Sequence, residues 1–452
     1  MSITQFTMEE VRCFAGKQTL EIRPLTFLVG ENSTGKTTAL ACFHIFANFL
    51  CGKGVDFNEK SSISHPYSMG TFREIVRNSK NKEKVFKLGF TSGLTKEKIE
   101  WIGEFTEREG RTEPTVSSTS VKFHDGEIVF QIGDEQHTGM QLVTFNQKEN
   151  IYKLVCDADI FNRYTLQRHL DILDDFSIKS TSLLDGSSEG KMALGKYLAE
   201  HSNDKRNKQE PWDLWSSLHI FSSSPIRSKP ERTYDPMKEI SDPEGSSIPM
   251  LLRRLETSRK KEWEALKEQL VEFGNKSGLF QDIKIKNFGN SSGGPFQMQF
   301  KVRGPTTNVM DVGYGVSQIL PILVQVLYTS IFQSSQRKEI LNSYFLLQQP
   351  EIHLHPRAQA EFSSLLVKLA NQGKQSFIIE THSDYLIDRA RIEIRKGTIK
   401  PEDVSLIYFE SKGNIVNVHN IGFDKMANMM GVPKHFRKFF IIESKRLMGF
   451  KE

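Results

Sequence analysis

The sequence predicts an α/β fold with a mixed central sheet, an antiparallel subdomain and a helical insertion, and three observations carry that expectation. The apolar run Leu25 to Val29 reads as a strand, ends in a glycine loop and passes into a helical stretch, Lys36 to Leu50. Between Lys84 and Val155 apolar and polar residues alternate, with turn signals at Asp125-Gly126 and Gly133-Asp134, the pattern of an antiparallel sheet. The C-terminal part returns to strand alternating with helix, with strands at Tyr344 to Leu347, Ser376 to Glu380 and Val404 to Glu410.

A chain of 452 residues exceeds one small core, so two lobes are expected. Four stretches divide it: 1–155, an N-terminal core part with the glycine loop and antiparallel sheet; 156–300, a helical insertion or lever; 301–410, the second core part; and 411–452, a tail. Within the insertion, His201 to Gln209 is a polar run that suits an exposed loop, whereas Ile248 to Phe273 places Leu251, Leu252, Leu255, Trp263, Leu266, Leu270 and Val271 at helical spacing. A short lever or helical hairpin fits this second stretch, because no heptad seam is sustained.

Composition narrows the function class. The most apolar stretch, Val316 to Phe332, is interrupted by Gln318, Pro321 and Gln325, so a buried helix is expected rather than a membrane span. No signal peptide is visible, and the four cysteines (Cys13, Cys42, Cys51 and Cys156) form no C-x-x-C pair, so a reducing cytoplasmic location is expected. A net charge of +5 over this length is too small to argue for nucleic acid by itself.

The chemistry is concentrated in a few segments. Gly30-Glu31-Asn32-Ser33-Thr34-Gly35-Lys36-Thr37 matches G-x-x-x-x-G-K-[ST] between a strand and a helix, the context that defines a P-loop. Its glycines let backbone amides, including those of Asn32, Ser33, Thr34 and the following Thr38, turn toward phosphates. Lys36 neutralises the β and γ oxygens, and the Thr37 hydroxyl suits Mg²⁺. ATP with Mg²⁺ is the expected ligand.

A second segment, Tyr344-Phe345-Leu346-Leu347-Gln348-Gln349-Pro350-Glu351-Ile352-His353-Leu354-His355-Pro356, resembles the Walker B region of the OLD, RecF and AAA15 branch of ABC-type ATPases. Asp311 to Gln318 resembles that branch's signature motif, Glu380-Thr381-His382-Ser383-Asp384 its switch-histidine loop, and Arg12 a further nucleotide-side residue. The resemblance implies an ABC-type P-loop ATPase in which two subunits sandwich ATP, Gly315 and Ser317 of one reaching the γ-phosphate held by the other, with His382 sensing that phosphate in cis. The His353 and His355 pair suits packing or loop anchoring better than metal. Arg227 and Arg232 fit a phosphate contact or surface ion pairs equally.

The sequence departs from the branch at Gln348, where an acid that holds Mg²⁺ is expected; Gln349 is ordinary there. An amide keeps a carboxylate's shape but cannot act as a base, and a missing base costs ~10²- to 10⁴-fold in rate. The catalytic set is then Gln348, Gln349, Glu351 and His382, the metal set Thr37 and Gln348, with Glu351 the nearest remaining carboxylate. Either the chain uses ATP as a structural or regulatory ligand, or Gln348 is a Glu→Gln change that traps the bound state.

The resemblance extends to anti-phage defence ATPases such as PtuA of Septu and AriA of PARIS. It implies a homodimer or higher homo-oligomer, no membrane partner, and an HNH or Toprim-type nuclease effector acting in trans, since the stretch after Glu410 is too short for a Toprim domain. The alternative is a RecF-like DNA-repair clamp with DNA as partner. If the P-loop reading holds, Lys36→Ala should remove most ATP affinity in titration calorimetry, and unchanged binding would contradict it.

Overall fold

The computed structural model describes residues 2–58, 66–77, 85–93, 98–132, 140–147, 150–157, 184–185, 192–194, 218–235, 244–288, 294–335, 343–434, 436 and 446. Strands β1 (Ser2–Val11) and β2 (Phe14–Glu21) form a hairpin ahead of β3 (Leu25–Gly30) and helix α1 (Lys36–Leu50). After the single turn α2 (Phe72–Ile75) come β4 (Val85–Gly93), β5 (Lys98–Thr106), β6 (Thr115–Lys122), β7 (Gly126–Ile132), β8 (Met140–Gln147), β9 (Asn150–Asp157) and the short β10 (Leu184–Asp185). Next are β11 (His219–Ser223), α3 (Ile248–Ser258), α4 (Lys260–Ser277), β12 (Asp282–Asn287), β13 (Phe296–Lys301), β14 (Thr306–Asn308) and α5 (Tyr314–Ser335). The C-terminal elements are β15 (Ser343–Gln348), α6 (Pro356–Asn371), β16 (Gln375–Glu380), α7 (Asp384–Arg395), β17 (Val404–Lys412), β18 (Ile415–Phe423) and β19 (Met429–Met430).

These strands make two large sheets. One is antiparallel, in the order β10-β9-β8-β7-β6-β5-β4-β1-β2; the other runs β11-β15-β16-β3-β17-β18-β19. In the second, β11, β15, β16, β3 and β17 are mutually parallel, and β18 and β19 add antiparallel. Strands β12 to β14 form a small third sheet.

The parallel strands are apolar on both faces because both faces are covered. With period-two alternation, Leu28, Leu346, Ile378 and Ile407 enter the core shared with the nine-stranded sheet, while Phe27, Phe345, Phe377 and Leu406 enter a second core under the helices. Helix α1 lies between the two large sheets and buries 13 of its 15 residues, so it is covered on nearly every side rather than amphipathic. Its Phe43 and Phe46 rings meet Phe90 of β4 at 4.8 and 5.1 Å, and Phe43 meets Tyr344 of β15 at 5.7 Å. That double packing fixes where the N-terminus of α1 points.

Several expectations change in detail. The stretch 156–300 holds more than helix: β11 is an edge strand of the core sheet, and β12 and β13 are paired strands. Helices α3 and α4 break at Arg259 and pack Leu252, Leu255, Leu266, Leu270 and Phe273 into the second core with α5 and α6, leaving Leu251, Trp263 and Val271 half-buried. The segment Tyr314–Phe332 is long and apolar enough to cross a membrane, with mean hydropathy 1.5, but its Ile319, Leu323, Val324 and Leu327 are fully buried in this core. The stretch expected as a tail begins as sheet, since β18 and β19 extend the core sheet beyond β17. The polar run His201 to Gln209, the Gly133-Asp134 turn and most of the stretch after Lys434 lie outside the described residues.

Gly274 in α4 shows how closely this packing is set: a Cβ there would sit 2.5 Å from the Phe280 carbonyl oxygen and 2.6 Å from its ring. Gly274→Ala should therefore lower the midpoint of urea unfolding, by ~1–3 kcal/mol of overpacking. Gly313→Ala, where a Cβ meets nothing within 4 Å, should not. Equal midpoints for the two variants would contradict this packing.

Candidate functional site

The glycine loop is shaped by close approach. A Cβ on Gly30 would fall 2.6 Å from the Phe409 carbonyl oxygen, and one on Gly35 2.7 Å from both Cys13 Sγ and the Phe14 ring. Gly35 (φ 85°) caps α1 without a side-chain hydrogen bond, and Ser33 is also at positive φ (62°), so the first amides of α1 are left for an anion. Asn32 and Ser33 are exposed, whereas Thr34 is buried and donates its hydroxyl to the Glu31 carbonyl at 2.8 Å.

Lys36 is buried and curls over its own loop, its Nζ donating to the Gly30 and Glu31 carbonyls at 3.1 and 2.7 Å. Burial holds its pKa below the ordinary lysine value, a shift partly opposed by the nearby carboxylates of Glu380 and Glu31. The next side chain, Thr37, donates its hydroxyl to both Glu380 oxygens, at 2.9 and 3.1 Å. Arg12, at φ 45°, lies beside this helix and spends its guanidinium on Thr38 Oγ1 (3.1 Å) and the Met69 carbonyl (2.8 Å). As placed, it braces the helix.

Gln348 ends β15 and Glu380 ends β16, and the two are register partners. Gln348 is buried, and its Nε2 has no hydrogen-bond partner among the described residues. Sequence reasoning paired Thr37 with Gln348 as the metal-side set; here the group on Thr37 is Glu380. The physical reason is strand order, since β16 lies between β15 and β3 and brings its last residue one strand nearer the loop. The missed signal was a carboxylate closing the wholly apolar strand Phe377-Ile378-Ile379, a placement that charges avoid without a partner.

Gln349 turns the chain at φ 42°, its N–H donating to the Glu380 carbonyl at 2.8 Å. Glu351 holds the histidine loop: its Oε1 accepts from the His382 backbone N–H at 2.8 Å, its Oε2 has no partner among the described residues, and burial raises its pKa. The His382 side chain is exposed, and partial desolvation, then the charge of Lys36, lowers its pKa. Behind β15, the buried Arg227 donates Nη2 to the Gln348 and Gln349 carbonyls at 3.2 and 3.5 Å, and burial pushes its pKa down to about 10 against the pull of Glu351. Arg232 instead forms an exposed two-pronged pair with Asp311, at 2.8 and 3.1 Å.

The signature segment is bolted to the tail of the Walker B region. A Cβ on Gly315 would lie 2.6 Å from the His353 carbonyl oxygen, and the Tyr314 and His353 rings meet edge-on at 4.7 Å. His353 is at φ 64°, and His355 caps α6, its Nδ1 accepting from the Arg357 N–H at 3.3 Å. As placed, His353 packs against the Tyr314 ring and His355 caps a helix, while among the described residues no cluster of His, Cys, Asp and Glu is arranged to hold a metal. Ser317 donates its hydroxyl to the Tyr314 carbonyl at 2.8 Å, and no hydrogen bond links the signature segment to the P-loop among the described residues. The structure thus gathers Lys36, Thr37, Gln348, Glu351, Glu380 and His382 at one edge of the parallel sheet.

The donor set fits the nucleotide and cation that a P-loop takes. The α1 amides and Lys36 suit phosphate, and a hydroxyl beside a carboxylate suits a hard divalent cation. The family description AAA ATPase domain (AAA_15) matches residues 1–387, and the chain belongs to that family. It is 26% identical over 128 residues to the OLD nuclease of Thermus scotoductus, covering 27% of this chain and 23% of that protein. The chain thus spans less than a quarter of that relative's length. Among solved structures, the SMC head domain from Thermotoga maritima is 10% identical with a TM-score of 0.32, covering 92% of this chain and 98% of that one. The Smc head domain with an extended coiled coil, bound to the C-terminal domain of ScpA from Pyrococcus furiosus, is 12% identical with a TM-score of 0.37, covering 98% and 99%. Both are too distant to bear on function.

Gly315→Ala should push the signature helix off the His353 carbonyl and lower the melting temperature. Tyr314→Ala, which removes a half-exposed ring (47%) and one edge-on contact with His353, should lower melting less. Scanning calorimetry on the two variants checks this, and a Gly315→Ala protein that melts like the parent would contradict the contact.

Proposed function

We propose that this chain is a regulatory ATPase of a bacterial anti-phage defence system, binding Mg²⁺-ATP at Gly30–Thr38 and joining copies of itself through the nucleotide. The reading rests on one combination above all: a complete phosphate cradle beside a strand that ends in two neutral amides, Gln348 and Gln349. The α1 amides and Lys36 hold phosphate without needing an acid at position 348, so binding and hydrolysis separate. Lys36 would exchange its own loop carbonyls for phosphate oxygens. Ser317 and Gly315 of a second copy would approach the γ-phosphate, with His382 beside it and Glu351 keeping the His382 loop in place. A nuclease acting in trans is the effector this reading assigns, supported by this chain's likeness to the OLD nuclease over 128 residues and by the sequence's resemblance to defence ATPases.

The catalytic part of the reading is tested by Gln348→Glu. The parent should turn ATP over very slowly, and the variant at least ~10²-fold faster, as restoring a catalytic carboxylate implies. A parent already hydrolysing at ~1 s⁻¹ or more would show that another acid, such as Glu351, serves as base. The assembly part is tested by Ser317→Arg. With ATP present, light scattering should show a loss of the self-associated species, and an unaltered mass would contradict nucleotide-joined copies.

A further inference from the structure

We propose that Glu380 is this protein's carboxylate ligand for the divalent cation that accompanies ATP, occupying the role that a neutral amide at position 348 fills poorly. The inference rests on the nucleotide reading above and deepens it by naming the metal-side residue.

Four observations carry it. Glu380 accepts the Thr37 hydroxyl on both oxygens, at 2.9 and 3.1 Å, so the carboxylate already sits on the P-loop side chain suited to the cation. Strand order places it there by construction: β16 adjoins β3, whereas β15, which carries Gln348, is one strand farther, a step of about 4.8 Å. The carboxylate is only 6% exposed and makes no ion pair among the described residues, while Lys36 turns its ammonium onto loop carbonyls. The carboxylate's compensation in the structure is one hydroxyl and the field of the nearby Lys36, and a bound divalent ion would supply the remainder that a buried carboxylate needs. The competing acid, Glu351, has one oxygen committed to the His382 N–H and lies in the loop after β15.

Chemistry favours the same choice. Magnesium prefers hard, charged oxygen ligands and keeps several waters, so one carboxylate and one hydroxyl beside the phosphates form a sufficient protein share of its shell. A glutamine offers a neutral carbonyl oxygen and no charge to offset that of the ion.

The test is binding of a slowly hydrolysed ATP analogue, measured by calorimetry on the full chain with Mg²⁺ and again with EDTA. The parent should bind more tightly with Mg²⁺, by on the order of 10-fold or more, the scale on which losing metal-site residues is felt. In Glu380→Gln that advantage should collapse toward unity while the EDTA affinity is kept, which also shows that the variant is folded. Glu380→Asp, which restores the charge, should recover part of the advantage, and Gln348→Ala should leave it intact. The proposal is overturned if Glu380→Gln keeps the full Mg²⁺ advantage, if Gln348→Ala abolishes it, or if the parent binds equally with and without Mg²⁺. A parent that binds no analogue in either condition removes the nucleotide reading itself, and this inference with it. Should Glu380→Gln lose binding in EDTA as well, Glu380→Asp decides: recovery of the Mg²⁺ advantage supports the proposal, and its absence in a variant that binds in EDTA overturns it.

Discussion

The pairing of Gln375–Glu380 between Ser343–Gln348 on one side and Leu25–Gly30 on the other sets the position of every group at the candidate site. Parallel strands end together, so their last residues and following loops share one edge of the sheet. The glycine loop, the paired amides and the histidine loop all leave from that edge. The backbone then links them directly: the Gln349 N–H reaches the Glu380 carbonyl at 2.8 Å and the Thr381 N–H reaches the Leu28 carbonyl at 3.1 Å. A change in any one strand's register would move all three loops, and packing of these strands from both faces opposes such a slip.

Around that edge the molecule carries unusual costs. Of the six non-glycine residues at positive φ among the described residues, four (Arg12, Ser33, Gln349 and His353) belong to segments singled out for chemistry. Such conformations each cost of the order of 1–3 kcal/mol and persist where the surroundings over-determine them. Buried polar atoms without partners among the described residues gather here too: Gln348 Nε2, Glu351 Oε2, and Nε and Nη1 of Arg227. Helix α1, buried along most of its length and held between two sheets, is the rigid element against which this strain is maintained.

Much of this was legible in the sequence, for identifiable reasons. The P-loop is a local motif between a strand and a helix, and β3, β15, β16 and β17 are near-continuous apolar runs, so their class could be read without tertiary information. The edge strand β11 was not legible: His219-Ile220-Phe221-Ser222-Ser223 is short, polar at both ends, and becomes a strand through pairing with β15. Its Ser222 is fixed by His44 of α1 at 2.6 Å, a contact across 178 positions that no local pattern encodes. The same holds for Glu380, which reads as the start of a histidine loop until strand order sets it beside Thr37. Gly315 was expected to face a second subunit; that it also packs on the His353 carbonyl needed three dimensions.

The account stands on the nucleotide being held between two copies at this edge. The most direct measurement is an electron cryo-microscopy structure of the chain assembled with Mg²⁺ and ATP. The account predicts phosphates on the α1 amides and Lys36, a cation between Thr37 and Glu380, and Ser317 of a second copy facing the γ-phosphate. Nucleotide bound with no second copy's signature segment against it, or copies joined through another face with the P-loop open to solvent, would contradict it.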